Sequence, residues 1–127
     1  MNIILSNSAG APIYEQIREQ IKTAIFSGEL KDGDLLPSIR QLARDLQISV
    51  ITTMRAYNDL EQEGFVVNVQ GKGCYVQTKN PELLREQKLR EVEENLLAAI
   101  TAAKLAKLTG PELQETLRLL MEEENYA

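Results

Sequence analysis

Two short helical segments joined by a three-residue turn constrain the fold of this chain most. Ser38 is a favourable N-cap for the first segment, which spans only about two turns before Gln47-Ile48-Ser49. Its apolar face is formed by Ile39, Leu42, Ala43 and Leu46. Ser49 caps the second, longer segment, which runs from about Val50 to Glu63 and ends at Gly64. Its predicted buried stripe is Thr53, Ala56, Tyr57 and Leu60. The pattern predicts a helix-turn-helix.

The flanking segments extend this motif into a winged helix from about Pro12 to Val76. Upstream, an amphipathic helix ends at Ser27-Gly28 and repeats isoleucine every four residues, at Ile13, Ile17, Ile21 and Ile25. Leu35-Leu36 is then predicted to be extended, because Pro37 disfavours helix in the residue before it. Downstream, β-rich runs at 65–69 and 74–78 flank a glycine-containing loop and predict a hairpin, the wing.

Lys79-Asn80-Pro81 marks the predicted boundary between a DNA-binding domain, residues 1–78, and a helical C-terminal region, residues 79–127. Apolar residues repeat there every seven positions, and after a capping-box spacing from Thr109 to Glu112 a second helix carries leucines on one face. We expect a dimer interface formed by Leu89, Val92, Leu96, Ala99, Ala103, Leu113, Leu117 and Leu120. The alternative is that these helices fold back on the winged domain.

Composition excludes several classes of protein. The 127 residues contain one cysteine and no histidine, so neither an internal disulfide nor a conventional metal site is expected. No plausible nucleophile and base occur at motif spacing, and we expect neither an enzyme nor a cofactor. A membrane span needs roughly 20 consecutive apolar residues, and the chain has neither such a run nor a signal sequence. These features predict a cytoplasmic protein with no membrane partner.

The net charge of −5 is unusual for a protein that binds DNA. Within residues 38–76 the bases and acids balance: Arg40, Arg44, Arg55 and Lys72 against Asp45, Asp59, Glu61 and Glu63. The acids gather mainly at the end of the second helix of the motif, whereas the bases lie at a helix start, a helix middle and a loop tip. A basic surface can therefore exist only if the fold separates the two signs.

Three motifs, spaced in order along residues 12–78, resemble the GntR family of bacterial regulators. They are Leu36-Pro37-Ser38-Ile39-Arg40-Gln41-Leu42-Ala43, Leu60-Glu61-Gln62-Glu63-Gly64-Phe65 and Gly71-Lys72-Gly73-Cys74-Tyr75-Val76. Three features resemble the YtrA subfamily of this family: the short two-helix tail, the motif Pro37-Ser38-Ile39-Arg40 and the motif Arg55-Ala56-Tyr57. The resemblance implies a transcription regulator, in this subfamily a repressor of a nearby operon that often encodes an ABC transporter.

The resemblance also implies where DNA is contacted. Arg40 matches an arginine that family members use on DNA at the start of the first motif helix, beside the capping Ser38, where its guanidinium could bind a phosphate or a guanine edge. In the second motif helix the expected contacts are Ser49, Val50, Ile51, Thr52, Met54 and Arg55. Of these, Ser49, Thr52 and Arg55 could reach either phosphates or base edges. Here Val50 and Met54 replace arginines common in the family, so those base contacts do not carry over, and contact with thymine methyl groups is the alternative.

Gly71, Lys72 and Gly73 form the predicted wing tip, where backbone freedom lets the loop approach the minor groove and lysine reach a phosphate. Cys74, where the family usually has threonine, is expected to be a strand residue and not a sensor.

The predicted fold is thus mainly α with a small β-hairpin, and the predicted function is repression by a homodimer on a palindromic double-stranded operator. Two alternatives remain at this point. An unknown small-molecule effector could bind between the C-terminal helices, where the polar groups are mainly Thr101, Lys104 and Lys107. The winged helix could instead serve as a protein-interaction module, because a fold alone does not determine function.

Overall fold

The computed structural model describes residues 1–8 and 10–126 and divides into two compact units, Met1–Asn80 and a second that begins at Pro81. The first unit contains three helices and a two-stranded antiparallel sheet, and the second contains two helices. In chain order the elements are α1 (Ile13–Phe26), α2 (Ile39–Leu46), α3 (Val50–Gln62), β1 (Val66–Val69), β2 (Gly73–Val76), α4 (Pro81–Leu105) and α5 (Gly110–Glu123). The predicted class, mainly α with a small hairpin, is confirmed.

The core of the first unit forms where α1 and α2 pack against α3. Ile17 and Ile21 of α1 are fully buried, as the four-residue repeat predicts, whereas Ile13 and Ile25 are half-buried at its ends. The buried residues of α3 are those of the predicted stripe: Thr53, Ala56, Tyr57 and Leu60. Removing this apolar surface from water is the main force that holds the three helices together.

Local capping sets where α2 and α3 begin. The hydroxyl of Ser38 accepts a hydrogen bond from the Gln41 amide at 3.1 Å, and that of Ser49 accepts one from the Thr52 amide at 3.1 Å. Both are N-caps as predicted. Between the helices Gln47 has φ 57° and ψ 47°, the left-handed conformation that ends a helix. The chain therefore turns sharply enough to enter α3 after only three residues.

The hairpin is slightly shorter than the sequence predicts, and it has a third partner. β1 and β2 pair antiparallel from Val66 opposite Val76 to Val69 opposite Gly73. Leu35 forms an isolated bridge with Tyr75, so the extended segment before α2 lies along the outer edge of β2. Gly73 has φ +122°, and a Cβ there would lie 3.0 Å from Cδ1 of Leu35. Only glycine fits this close approach without strain.

The buried phenol of Tyr57 joins α3 to the start of α2. Its hydroxyl donates a hydrogen bond of 2.8 Å to the carbonyl oxygen of Pro37, the residue directly before the Ser38 N-cap. Burial raises the pKa of Tyr57 above its ordinary range, so the phenol stays a neutral donor. This bond fixes the end of α2 that carries Arg40 relative to the middle of α3.

The second unit contains two well-formed helices whose apolar residues are mostly exposed. Thr109 and Glu112 form the predicted capping box at the start of α5. Side chains exposed in this chain include Leu89, Val92, Leu96, Leu117 and Leu120, and Leu113 is half-buried. Ala103 is already buried within the single chain, unlike the other members of the predicted interface. Within the described residues, each helix falls short of the length or apolar character that a membrane span requires.

Replacing Tyr57 with phenylalanine should destabilise the protein by about 1–2 kcal/mol, because the Pro37 carbonyl loses its donor. Urea unfolding followed by circular dichroism measures this change. Tyr75→Phe is the matched control, since Tyr75 is only half-buried. Equal stability of the two variants would show that the Tyr57 hydrogen bond contributes nothing to folding.

Candidate nucleic-acid interface

Ion pairs between α1 and the end of α3 separate the charges of the first unit. Arg18 lies 3.2 Å from a carboxylate oxygen of Asp59 and 3.8 Å from one of Glu63, and Lys22 also pairs with Glu63. The Asn68 amide donates to Glu61 at 2.9 Å. Three of the four acids among residues 38–76 are thus bound on the side of α1 or at the base of the wing, and the fourth, Asp45, accepts a hydrogen bond from Gln41 within α2.

Both basic residues of α1, Arg18 and Lys22, form ion pairs with carboxylates. Burial by itself lowers the pKa of Arg18, but the hydrogen bond and charge of Glu19, with the carboxylates of Glu63 and Asp59, raise it above its ordinary value. Burial by itself raises the pKa of Glu19, but the hydrogen bonds and charges of Arg18 and Lys22 outweigh burial, so the pKa is lowered overall. We conclude that this face of α1 is an internal ion-pair network and not a surface for phosphate.

The wing and the start of α2 form the two sides of one open cleft of about 420 Å³. Ser38 and Arg40 line one side, and residues 68–73, which contain Lys72, line the other. Arg40 and Lys72 are both exposed, and neither makes an ion pair within residues 1–8 and 10–126. The structure therefore brings together two cations that lie far apart in sequence. Asn68 and Gln70 share the cleft, although sequence reasoning did not select them.

The first half of α3 presents an apolar, exposed surface. Ile51 is 73% exposed, Val50 46% and Met54 41%, and the three lie within about one helical turn of each other, so they form a single apolar patch. At the helix start the hydroxyls of Ser49 and Thr52 lie 2.8 Å apart and share a hydrogen bond. An α-helix with this exposed face has the shape that enters a major groove, and apolar side chains there can contact thymine methyl groups.

Arg55 has a partner that the sequence did not reveal. Its guanidinium carbon lies 3.7 Å from the centroid of the Tyr14 ring, in the first turn of α1. The distance is well within the range of a cation–π contact. Nothing in the spacing of either residue indicates this contact, which exists because α1 packs across α3.

Cys74 is buried beside the cleft in β2, consistent with its prediction as a strand residue. Burial, and secondarily the charge of Glu61, raises the pKa of its thiol to about 11. Of the described residues, no group of three or more histidine, cysteine or acidic side chains is arranged to hold a metal ion.

Known proteins resemble this chain in both sequence and fold. Residues 13–76 match the family model "Bacterial regulatory proteins, gntR family". The chain is 34% identical over 110 residues to the HTH-type transcriptional repressor YtrA of Bacillus subtilis, covering 87% of this chain and 85% of that protein. This chain belongs to the GntR family.

Two solved structures extend the comparison. A GntR family transcriptional regulator from Listeria monocytogenes superposes with a TM-score of 0.72 at 28% identity, covering 90% of this chain and 97% of that one. AraR(DBD) in complex with operator ORX1 superposes with a TM-score of 0.53 at 25% identity, covering 60% and 95%. As a YtrA-like member of the GntR family, this chain is a DNA-binding transcription regulator and not an enzyme.

In this family member the Cys74 thiol should be almost inert towards alkylation. With a pKa of about 11, only about one thiol in a thousand is ionised at pH 8, and the thiolate is the reactive form. Iodoacetamide labelling followed by mass spectrometry should be slow in the folded protein, faster as pH rises, and complete in urea. Rapid labelling of folded protein near neutral pH would contradict the buried, neutral thiol.

Proposed function

We propose that this regulator acts as a homodimer that represses a neighbouring operon by binding a palindromic operator. In each protomer α3 enters a major groove and the wing contacts the flanking minor groove. The observation that carries the proposal is that Arg40 and the wing-tip Lys72 line one cleft. The acids Asp59, Glu61 and Glu63 do not line it, because they are bound by α1 or by the Asn68 amide. That the operon encodes an ABC transporter, as the YtrA-like resemblance implies, stays a prediction.

The proposed DNA binding uses two kinds of contact, polar contacts to the DNA backbone and apolar contacts to bases. Arg40 and Lys72 bind phosphates, assisted by the α2 N-terminus at Ser38 and by the wing-tip glycines Gly71 and Gly73, whose positive φ angles shape the turn around Lys72. Arg55 and the hydroxyls of Ser49 and Thr52 contact the backbone beside α3. The exposed Val50, Ile51 and Met54 meet thymine methyl groups, which replaces the arginine contacts of other family members.

The exposed leucines of the second unit support the dimer. Leu96 is 47% exposed, and Leu117 and Leu120 are 46% and 52% exposed. Several further residues, outside the predicted set, add to this apolar surface: Leu97, Ile100, Leu105, Leu108 and Leu119. So much exposed apolar area on a small chain is unfavourable in water, and a second copy would cover it symmetrically. Two-fold symmetry in the protein then matches two-fold symmetry in the operator.

DNA binding is tested by selecting duplexes from a random pool, comparing them with the DNA upstream of the gene, and titrating by fluorescence anisotropy. Arg40→Ala and Lys72→Ala should each weaken binding about ten-fold or more. Each should also reduce the salt slope by about 0.9 per lost phosphate contact, counted in both protomers. Arg90→Ala, on exposed α4, is the matched control and should bind normally. Unchanged binding by an Arg40→Ala, Arg55→Ala double variant would refute this surface.

The dimer is tested by sedimentation equilibrium. Leu96→Lys should raise the dissociation constant of the dimer by about ten-fold or more, because an apolar contact is lost from each protomer. The same variant should bind full operators with reduced affinity while half-sites bind as before. Glu94→Gln, a neighbour on α4 that pairs with Arg90, is the control. A native protein that sediments as a monomer at micromolar concentration would exclude the homodimer.

A further inference from the structure

The stacked pair of Tyr14 and Arg55 links the first turn of α1 to the middle of α3. The 3.7 Å distance from the guanidinium carbon to the ring centroid places the guanidinium over the ring. Tyr14 is half-buried and Arg55 is exposed, so the ring is held by the protein while the guanidinium faces solvent. The ring of Tyr14 thus holds the Arg55 guanidinium at the solvent-exposed surface of α3.

Two arginines lie near this ring, and their remaining contacts differ. Arg18, at 5.9 Å from the same centroid, has its donors engaged by Glu19, Asp59 and Glu63. The side chain of Arg55 makes no hydrogen bond or ion pair within residues 1–8 and 10–126. Stacking uses the face of a guanidinium and leaves the N–H donors along its edge available. The stacked arginine is therefore the one equipped to bind an anion.

We propose that Tyr14 is a positioning residue for DNA binding, which holds the Arg55 guanidinium in place for a phosphate of the operator backbone. The inference rests on the proposed role of Arg55 as a DNA contact. A long side chain that is ordered before binding loses less conformational entropy when the complex forms. The ring also fixes the plane of the guanidinium, which sets the direction in which its paired donors point.

The contact partner is a phosphate and not a base edge. Tyr14 lies in the first turn of α1, so its ring holds the Arg55 guanidinium at the side of α3 that packs beside that helix. A phosphate contact affects all sequences alike, whereas a base contact affects only the operator. Loss of the tyrosine ring should therefore weaken operator and non-operator DNA by the same factor.

A double-mutant cycle tests this inference. Tyr14→Leu should weaken binding of the selected operator about three- to ten-fold, and Arg55→Ala should weaken it at least as much and lower the salt slope. In the Arg55→Ala background, Tyr14→Leu should cause no further loss, because there is no guanidinium left to position. Tyr14→Phe, which keeps the ring, should bind as the native protein does. Tyr126→Leu, at an exposed tyrosine of the C-terminal region, is the control.

A second measurement needs no substitution at Tyr14. In the native protein without DNA, nitrogen-15 relaxation of arginine side chains should show Arg55 ordered, and its methylene protons should be shifted upfield by the ring. Arg90, on exposed α4, should be mobile. This measurement decides the question even if Tyr14→Leu fails to fold.

The outcomes separate the two proposals. Full binding by Arg55→Ala would remove Arg55 from the proposed DNA surface and overturn the inference with it. A weakened Arg55→Ala beside an unaffected or strictly additive Tyr14→Leu would overturn the positioning role alone. So would an Arg55 side chain as mobile as Arg90, or a Tyr14→Phe that binds as weakly as Tyr14→Leu.

Discussion

The hydroxyl of Tyr57, buried in the core, donates its hydrogen bond to the carbonyl of Pro37 and so ties the middle of α3 to the start of α2. The α2 N-terminus, with Arg40, is held at a constant position relative to the exposed face of α3. Leu36, just upstream, is held at the edge of the hairpin because its backbone N–H donates a hydrogen bond of 2.8 Å to the Cys74 carbonyl oxygen, which joins the wing to the same segment. The segment that leads into α2 is thus bonded both to α3 and to the hairpin, and these three parts make up the proposed DNA surface.

Charge separation depends on this packing. A chain of net charge −5 would repel DNA if its acids were spread evenly. Because α1 lies across α3, Arg18 and Lys22 hold Asp59 and Glu63 on one side of the unit. The cations of α2, α3 and the wing are left on the surface with no acid paired to them in the described residues. Half-exposed ion pairs of this kind add little stability, and their larger effect is on where the field of the protein is positive.

How far the sequence predicted the site depended on how local each feature is. The caps Ser38 and Ser49, the buried stripe of α3 and the capping box at Thr109 were predicted residue by residue and are confirmed, because each depends on neighbours within one or two helical turns. The hairpin was predicted but its ends differ by one or two residues. The stacking of Arg55 on Tyr14 was missed, and so were the cleft residues Asn68 and Gln70.

The sequence alone determined the two-helix motif that most constrains this chain. It also determined the family, and with the family DNA binding. It could do so because periodicity, caps and ordered motifs are properties of short segments. The tertiary structure decided which charges face outward and which arginine is supported by an aromatic ring. Arg18 and Asp59 are 41 residues apart, and no local sequence pattern indicates that they form an ion pair. Only the burial of α1 against α3 brings such residues together, and packing of that kind is a property of the whole core.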